Sequence, residues 1–157
     1  MNNWKQTVRF DETEGLMADV PLDFVPSKPL VRLMFDLSGQ VQTLTPEMAA
    51  AAEAVLQQLP GLNQSVAEAA FEHFQMMRQM CGDIYNEEDE LLTAADATEL
   101  QALYQLQTIY FPEEPEIGRF GLSFVCQWEI EHGFGLQFRN WNIVEVGGEA
   151  EAFSFYD

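Results

Sequence analysis

Residues 128–135 read Trp-Glu-Ile-Glu-His-Gly-Phe-Gly, placing one of the chain's two histidines and one of its three tryptophans beside two carboxylates and two glycines. Two chemistries would use such a set. Glu131 and His132 could act as a general acid/base pair, or Glu129, Glu131 and His132 could form a corner of metal ligands. A metal corner needs convergent side chains, whereas neighbouring strand residues point to opposite faces. The acid/base pair lacks a nucleophile, a phosphate loop or any second motif. G-x-S-x-G, H-E-x-x-H and G-x-G-x-x-G do not occur, and Cys126 with His132 is no recognisable nucleophile pair. A third reading requires no catalysis. His132 and a carboxylate would hydrogen-bond the backbone of a turn between two strands, and Gly133 and Gly135 would supply positive φ or close backbone approach. We adopt this structural role for Trp128, Glu129, Glu131, His132, Gly133 and Gly135, and expect no catalytic residue, metal or cofactor. A small hydrolase or metal-dependent enzyme centred on the segment is the alternative.

The turn needs strands on both sides. Phe120, Leu122, Phe124, Cys126, Trp128 and Ile130 are apolar at every second position, which predicts one long strand with a buried face and sends Glu129 and Glu131 to the other face. Leu136 and Phe138, then Ile143 to Val146, predict two more strands, joined by a hairpin turn at Arg139-Asn140-Trp141-Asn142. The C-terminal third therefore reads as an antiparallel meander, to which Phe153, Phe155 and Tyr156 would add a last strand or an aromatic tail. At the other end, Trp4, Gln6, Val8 and Phe10 alternate as a strand, residues 15–20 form a second, and Val31, Leu33, Phe35 and Leu37 mark a third. Pro21, Pro26 and Pro29 mark the connecting loop, and Ser38-Gly39 ends the third strand.

Between these regions lie two main helices. Thr45-Pro46-Glu47 combines an N-cap, a proline at the first helical position and an acid near the positive end of the dipole. Met48, Ala51, Val55, Leu56 and Leu59 form the apolar stripe that follows, ended by Pro60-Gly61. A second helix runs from Asn63 to Gly82 with Val66, Ala70, Phe74, Met77 and Cys81 inward, and Met76 and Met80 broadening its core face. Thr93 with Asp96 resembles a capping box opening a short helix through Leu100 and Leu103. Leu106, Thr108 and Tyr110 start a strand ended by Pro112 and Pro115.

With 157 residues, 47% of them hydrophobic, the chain can bury the core of one domain, 1–157. Its 26 acids against 7 bases give a formal net charge of -19. Nucleic acid and anionic membrane surfaces are disfavoured partners, because both are bound through Lys and Arg. The excess is uneven: residues 1–82 hold 10 acids and 5 bases, residues 83–157 hold 16 acids and 2 bases. A basic protein would be steered to such a surface, faster at low salt; on composition alone, acidity that only keeps the protein soluble is the alternative. Asn86-Glu87-Glu88-Asp89-Glu90 is a solvated acidic loop or a docking patch, and it lacks the alternating ligands and central glycine of a calcium loop. The N-terminus lacks the apolar core of a secretory signal and no run is long enough to span a membrane. Cys81 and Cys126 read as reduced, buried thiols of a cytoplasmic protein.

The run CQWEIEHGFGLQF, with IVEVGG after a hairpin, resembles a bacterial domain family of unknown function that carries C-x-W-[DE]-x-E-H-G-x-G followed by V-x-x-V-G. Cys126, Trp128, Glu129, Glu131, His132, Gly133, Gly135, Val146 and Gly147 match that pattern. The N-terminal strands and LTPEMAAAAEAVLQQ also look like the family, so the resemblance spans most of the chain, with only the C-terminal motif specific. It implies a small cytosolic protein similar to the immunity proteins encoded beside toxins.

The fold expected is α+β, an antiparallel sheet with a C-terminal β-meander packed on two main helices. The function expected is that of an acidic, non-catalytic immunity protein that occludes a basic, nuclease-like toxin. Its partner-binding residues would be Glu87, Glu88, Asp89 and Glu90, with Glu113, Glu114 and an exposed Trp141 in support. A housekeeping adaptor would suit the same charge.

Overall fold

In the computed structural model, which describes residues 3–22, 24 and 26–155, seven strands form one sheet in sequence order. They are β1 (Arg9–Asp11), β2 (Gly15–Val20), β3 (Ser27–Asp36), β4 (Tyr104–Tyr110), β5 (Phe120–Cys126), β6 (Phe134–Arg139) and β7 (Asn142–Gly147). All neighbouring strands pair antiparallel except β3 and β4, which are parallel. The wholly antiparallel sheet expected from the sequence is therefore corrected to a mixed one. The physical reason is the crossover: α1 (Pro46–Gln58) and α2 (Asn63–Cys81) separate β3 from β4, and a connection of that size can return the chain to the end at which the preceding strand began. The strands β4 to β7 do form an antiparallel meander.

Alternation along the strands sorts the side chains into two layers. Leu16, Val31, Leu33, Phe35, Leu106, Phe120, Leu122, Phe124, Phe134, Leu136 and Phe138 are buried in one cluster with Met48, Val55, Val66 and Phe74 of the two helices. Each large apolar side chain withdrawn from water here contributes about 1.5–3 kcal/mol. On the other face Met17, Met34 and Tyr110 pack with Ala152 of a short α4 (Glu149–Phe153) and with Phe155. Of the last strand or aromatic tail expected from Phe153, Phe155 and Tyr156, no strand forms among the described residues: Phe153 ends α4 and Phe155 packs as a tail, while Tyr156 lies outside the described residues.

Local chemistry fixes the helix starts. Thr45 accepts the Met48 amide at 3.1 Å and opens α1, as the sequence predicts. Asp96, and not Thr93, caps the short α3 (Ala97–Leu100), taking the Glu99 amide at 2.9 Å. The N-terminal alternation misleads: Trp4–Thr7 is a 3-10 turn and only Arg9–Asp11 is strand. Thr7 is the cause, since its hydroxyl lies 2.7 Å from the Trp4 carbonyl and takes the Asp19 amide at 2.8 Å, while Trp4 stacks on Phe35 at 5.8 Å. Pro29 lies within β3 rather than in the loop before it. Leu37 falls beyond β3 and is exposed, because the Asp36 carboxylate turns the chain by accepting the Ser38 and Val41 amides. Burial alone would push that carboxyl up; the Ser38 hydroxyl and three backbone amides outweigh it and hold it below the usual range.

The second helix outruns its buried face and ends at Cys81, before Gly82 at φ +80°. Met76, Met80 and Cys81 are exposed, and Met77 is half-buried. The inward face expected as far as Cys81 therefore stops at Phe74, with Met77 at its margin.

Candidate functional site

The segment 128–135 is a turn, and the strand before it is shorter than its apolar alternation suggests. β5 ends at Cys126, and Ile130 is 64% exposed rather than buried. Two capping interactions end the ladder. The Glu129 carboxylate accepts the amides of Glu131 and His132 at 3.2 and 3.3 Å, and the Gly133 amide donates to the Glu129 carbonyl at 2.9 Å. Glu129 thus bends inward to the turn instead of standing on the outer strand face. Gly133 has φ +66°, a conformation that strains any side chain. His132 lies with Nδ1 3.5 Å from the same Glu129 oxygen and remains exposed, as does Glu131. Trp128 is buried, and its indole N–H donates to Nδ1 of His73 at 2.9 Å.

Gly135 of the motif and Gly121 of β5 make room for α4. A side chain on Gly121 would meet the Ala152 backbone, and one on Gly135 would meet the Gly148 carbonyl and the Ala152 amide. The His132 carbonyl accepts the Glu149 amide at 2.6 Å. Buried Gln137 donates to the Glu151 and Ser154 carbonyls, each at 2.9 Å, and the Tyr110 hydroxyl bonds Glu149 at 3.3 Å. Burial, then the Glu149 carboxylate, pushes that phenol up to about 12. The motif residues therefore build a socket: His132 closes it through its backbone, and the missing side chains of Gly121 and Gly135 provide its depth.

The acidic segment 86–90 is a small, defined hairpin. Tyr85 and Leu91 form an antiparallel bridge, and Asn86 accepts the Glu88 and Glu90 amides at 2.9 Å each through its side chain. Asp89 sits at φ 61°, which short polar side chains tolerate. Glu87, Glu88, Asp89 and Glu90 are all exposed, flanked by exposed Tyr85 and Leu91. Lys5, Arg9, Arg32 and Arg78 pair with Glu53, Asp19, Glu14 and Asp83, so these cations are engaged away from the hairpin.

The other proposed binding residues are elsewhere. Glu113 and Glu114 are exposed beyond the far end of β4, about 20 Å along that strand from its start. Trp141 shares their end of the sheet and is half-buried, not exposed. Its amide donates to the Gly118 carbonyl at 3.1 Å, and its ring packs 5.7 Å from that of Phe120. Asn140 and Trp141 have φ 52° and 67°, the positive pair of a two-residue hairpin turn. An open groove of about 680 Å³ lies between the acidic hairpin, the residues leading into β4 and the β5–β6 turn. Leu103, Val125 and Ile130 give it apolar surface, and Glu87 and Glu88 bring negative charge.

A profile of the domain of unknown function DUF6985 matches residues 4–153. The chain belongs to that family. No curated protein and no solved structure matches it.

Within this DUF6985 domain, sequence reading overlooked His73. It is 6% exposed, packs 5.1 Å from the Phe134 ring, and accepts the hydrogen bond that fixes Trp128. Burial lowers its pKa, partly opposed by the Glu129 charge, so the neutral ring that can accept at Nδ1 is favoured. Its spacing in α2, between Ala70 and Phe74 on the buried side, was the available signal. Cys126 is buried as expected, and burial pushes its thiol up to about 12, which suppresses the nucleophilic thiolate. Among the described residues no group of three or more His, Cys, Asp or Glu side chains could hold a metal ion, and no helix is long and apolar enough to cross a membrane.

Proposed function

We propose that this DUF6985 domain is a non-catalytic, acidic binding protein of the immunity type, which neutralises a basic, nuclease-like toxin by covering its substrate-binding face. The observation that carries this reading is the preorganised hairpin 86–90, whose four exposed carboxylates are held beside exposed Tyr85 and Leu91. A fixed array of this kind steers a cationic surface at long range and loses little entropy on docking. The source would be bacterial and the compartment the cytoplasm.

The test is a binding measurement between the domain and the product of the neighbouring reading frame at low and high salt. Wild type should bind a basic toxin tightly and lose affinity with salt. The variant Glu87→Lys, Glu88→Lys, Glu90→Lys should bind at least about a hundredfold more weakly, as like charges replace complementary ones. Unchanged affinity would exclude the hairpin as the interface.

An enzyme reading would rest on the 3.5 Å approach of Glu129 and His132. The same Glu129 oxygen already accepts two backbone amides, which favours its use in locking the turn. Loss of a measured turnover in a folded His132→Ala variant would reverse that preference.

A further inference from the structure

The acidic hairpin does not stand alone. Beside it the groove of about 680 Å³ is bounded by three segments distant in sequence: the hairpin through Glu87 and Glu88, the chain entering β4 through Leu103 and Tyr104, and the β5–β6 turn through Ile130. Val125 and Ile130 are apolar yet 39% and 64% exposed, although their neighbours Phe124, Cys126 and Trp128 are buried. Tyr104, which lines the groove, is 2% exposed, with the Gln101 side chain beside its hydroxyl.

We infer that this groove seats a protein segment in which a lysine or arginine is flanked by apolar side chains, the cation meeting Glu87 and Glu88 and the apolar flanks covering Val125 and Ile130. The inference rests on the binding reading above and assigns its contact point. Charge selects the occupant: a second copy of a chain of net charge -19 would bring acid against acid, whereas a cationic segment gains attraction and buries the apolar patch together. Nor would a purely cationic segment suffice, since it would leave Ile130 and Val125 in water.

The test uses the whole domain with isoleucine and valine methyl groups labelled for NMR, titrated with a short amidated peptide alternating lysine and leucine. Controls are polylysine and a peptide with glutamate in place of lysine. The lysine–leucine peptide should shift the Ile130 and Val125 methyl signals saturably, leaving exposed Ile117 unmoved. The Ile130→Asp variant should weaken binding at least about tenfold, as should the Glu87→Gln, Glu88→Gln variant. Ile130 is mostly exposed, so its substitution leaves the fold intact, which the unchanged signals of Ile109 would verify.

Shifts confined to the amides of 87–90, equal for polylysine, would overturn the groove while leaving the acidic-surface reading standing. Equal binding of the glutamate peptide would overturn the selection for cations. Movement of Ile130 with protein concentration alone would identify a second copy as the occupant. If no residue responds to any cationic peptide, the groove inference falls; a toxin complex that still forms and survives charge reversal of the hairpin would remove the wider reading as well.

Discussion

The Trp128 indole N–H and the His73 Nδ1 meet at 2.9 Å across 55 positions of sequence, in the space between α2 and the turn that follows β5. Phe74 and Tyr104 pack edge-on against the same indole at 5.6 and 5.9 Å. The bond ties the turn that closes the α4 socket to the helix covering the opposite face. Removing only the donor leaves a buried acceptor unpaired. Trp128→Phe should therefore destabilise the domain by about 2–4 kcal/mol, combining that loss with reduced packing, as read from urea unfolding.

The same pair makes stability depend on pH. Burial depresses the folded-state pKa of His73 below its ordinary 6.5, so the unfolded chain takes up the proton first. The contribution of the neutral ring is complete above about pH 6.5 and declines as pH falls toward the folded-state value. Urea midpoints measured from about pH 7.5 down to 5 should fall, and His73→Phe should flatten that portion of the curve. An identical slope in both proteins would show that other groups cause it.

Gly121 and Gly135 set the depth of the α4 socket. Gly121→Ala places a methyl group against the Ala152 backbone and Gly135→Ala places one against Gly148. Each should cost at least about 1–3 kcal/mol and loosen α4 before the rest of the sheet. Faster hydrogen exchange at Glu149 and Glu151, whose amides bond the His132 and Gly148 carbonyls, would report that local opening. Unchanged exchange would show that the backbone shifts to accommodate the methyl.

At the opposite end, Gly118 at φ +87° lies against the Trp141 ring, whose own backbone is at φ 67°. Left-handed tryptophan is unfavourable by about 1–2 kcal/mol, so packing must hold it there. Gly118→Ala should disturb both backbone and ring, lowering the melting temperature by about 2–4 °C for each 1 kcal/mol lost in a domain of this size. A shift in Trp141 fluorescence should accompany it; an unperturbed emission would show that the ring does not depend on Gly118.

The two thiols should react on different timescales. Cys81 is exposed at the end of α2, while Cys126 is buried and its thiol is pushed up to about 12. A thiol reagent at neutral pH should modify one cysteine per native chain promptly and the second only on unfolding. Prompt modification of Cys126 would mean that the end of β5 opens readily.

Local signals in the sequence specified the elements whose cause is local. Thr45-Pro46 determined the start of α1, Pro and Gly the break before α2, and apolar residues at every second position the strands β3, β4, β5 and β6. A left-handed Asn-Trp turn was legible as a hairpin from its length and flanks. The chemistry of WEIEHGFG was legible only in part: the sequence indicated a turn, and the glycines indicated close approach.

Tertiary contacts decided the rest. Ile130 continues the apolar period of β5 but lies outside the sheet, because Glu129 caps the following amides once the pairing register of Phe124 with Phe134 is set. Cys81 fits a helical apolar stripe but is exposed at the end of α2. His73 looks like an ordinary helix residue until Trp128 reaches it from 55 positions away. The acidic residues form one class by composition, yet Glu87 to Glu90 and Glu113 to Glu114 end up about a strand length apart. Periodicity states which side of an element is apolar, and charge states what a surface repels. Which partner covers each side, and which charges share one place, depends on contacts between segments far apart in sequence, and those are fixed only when the sheet closes around its crossover.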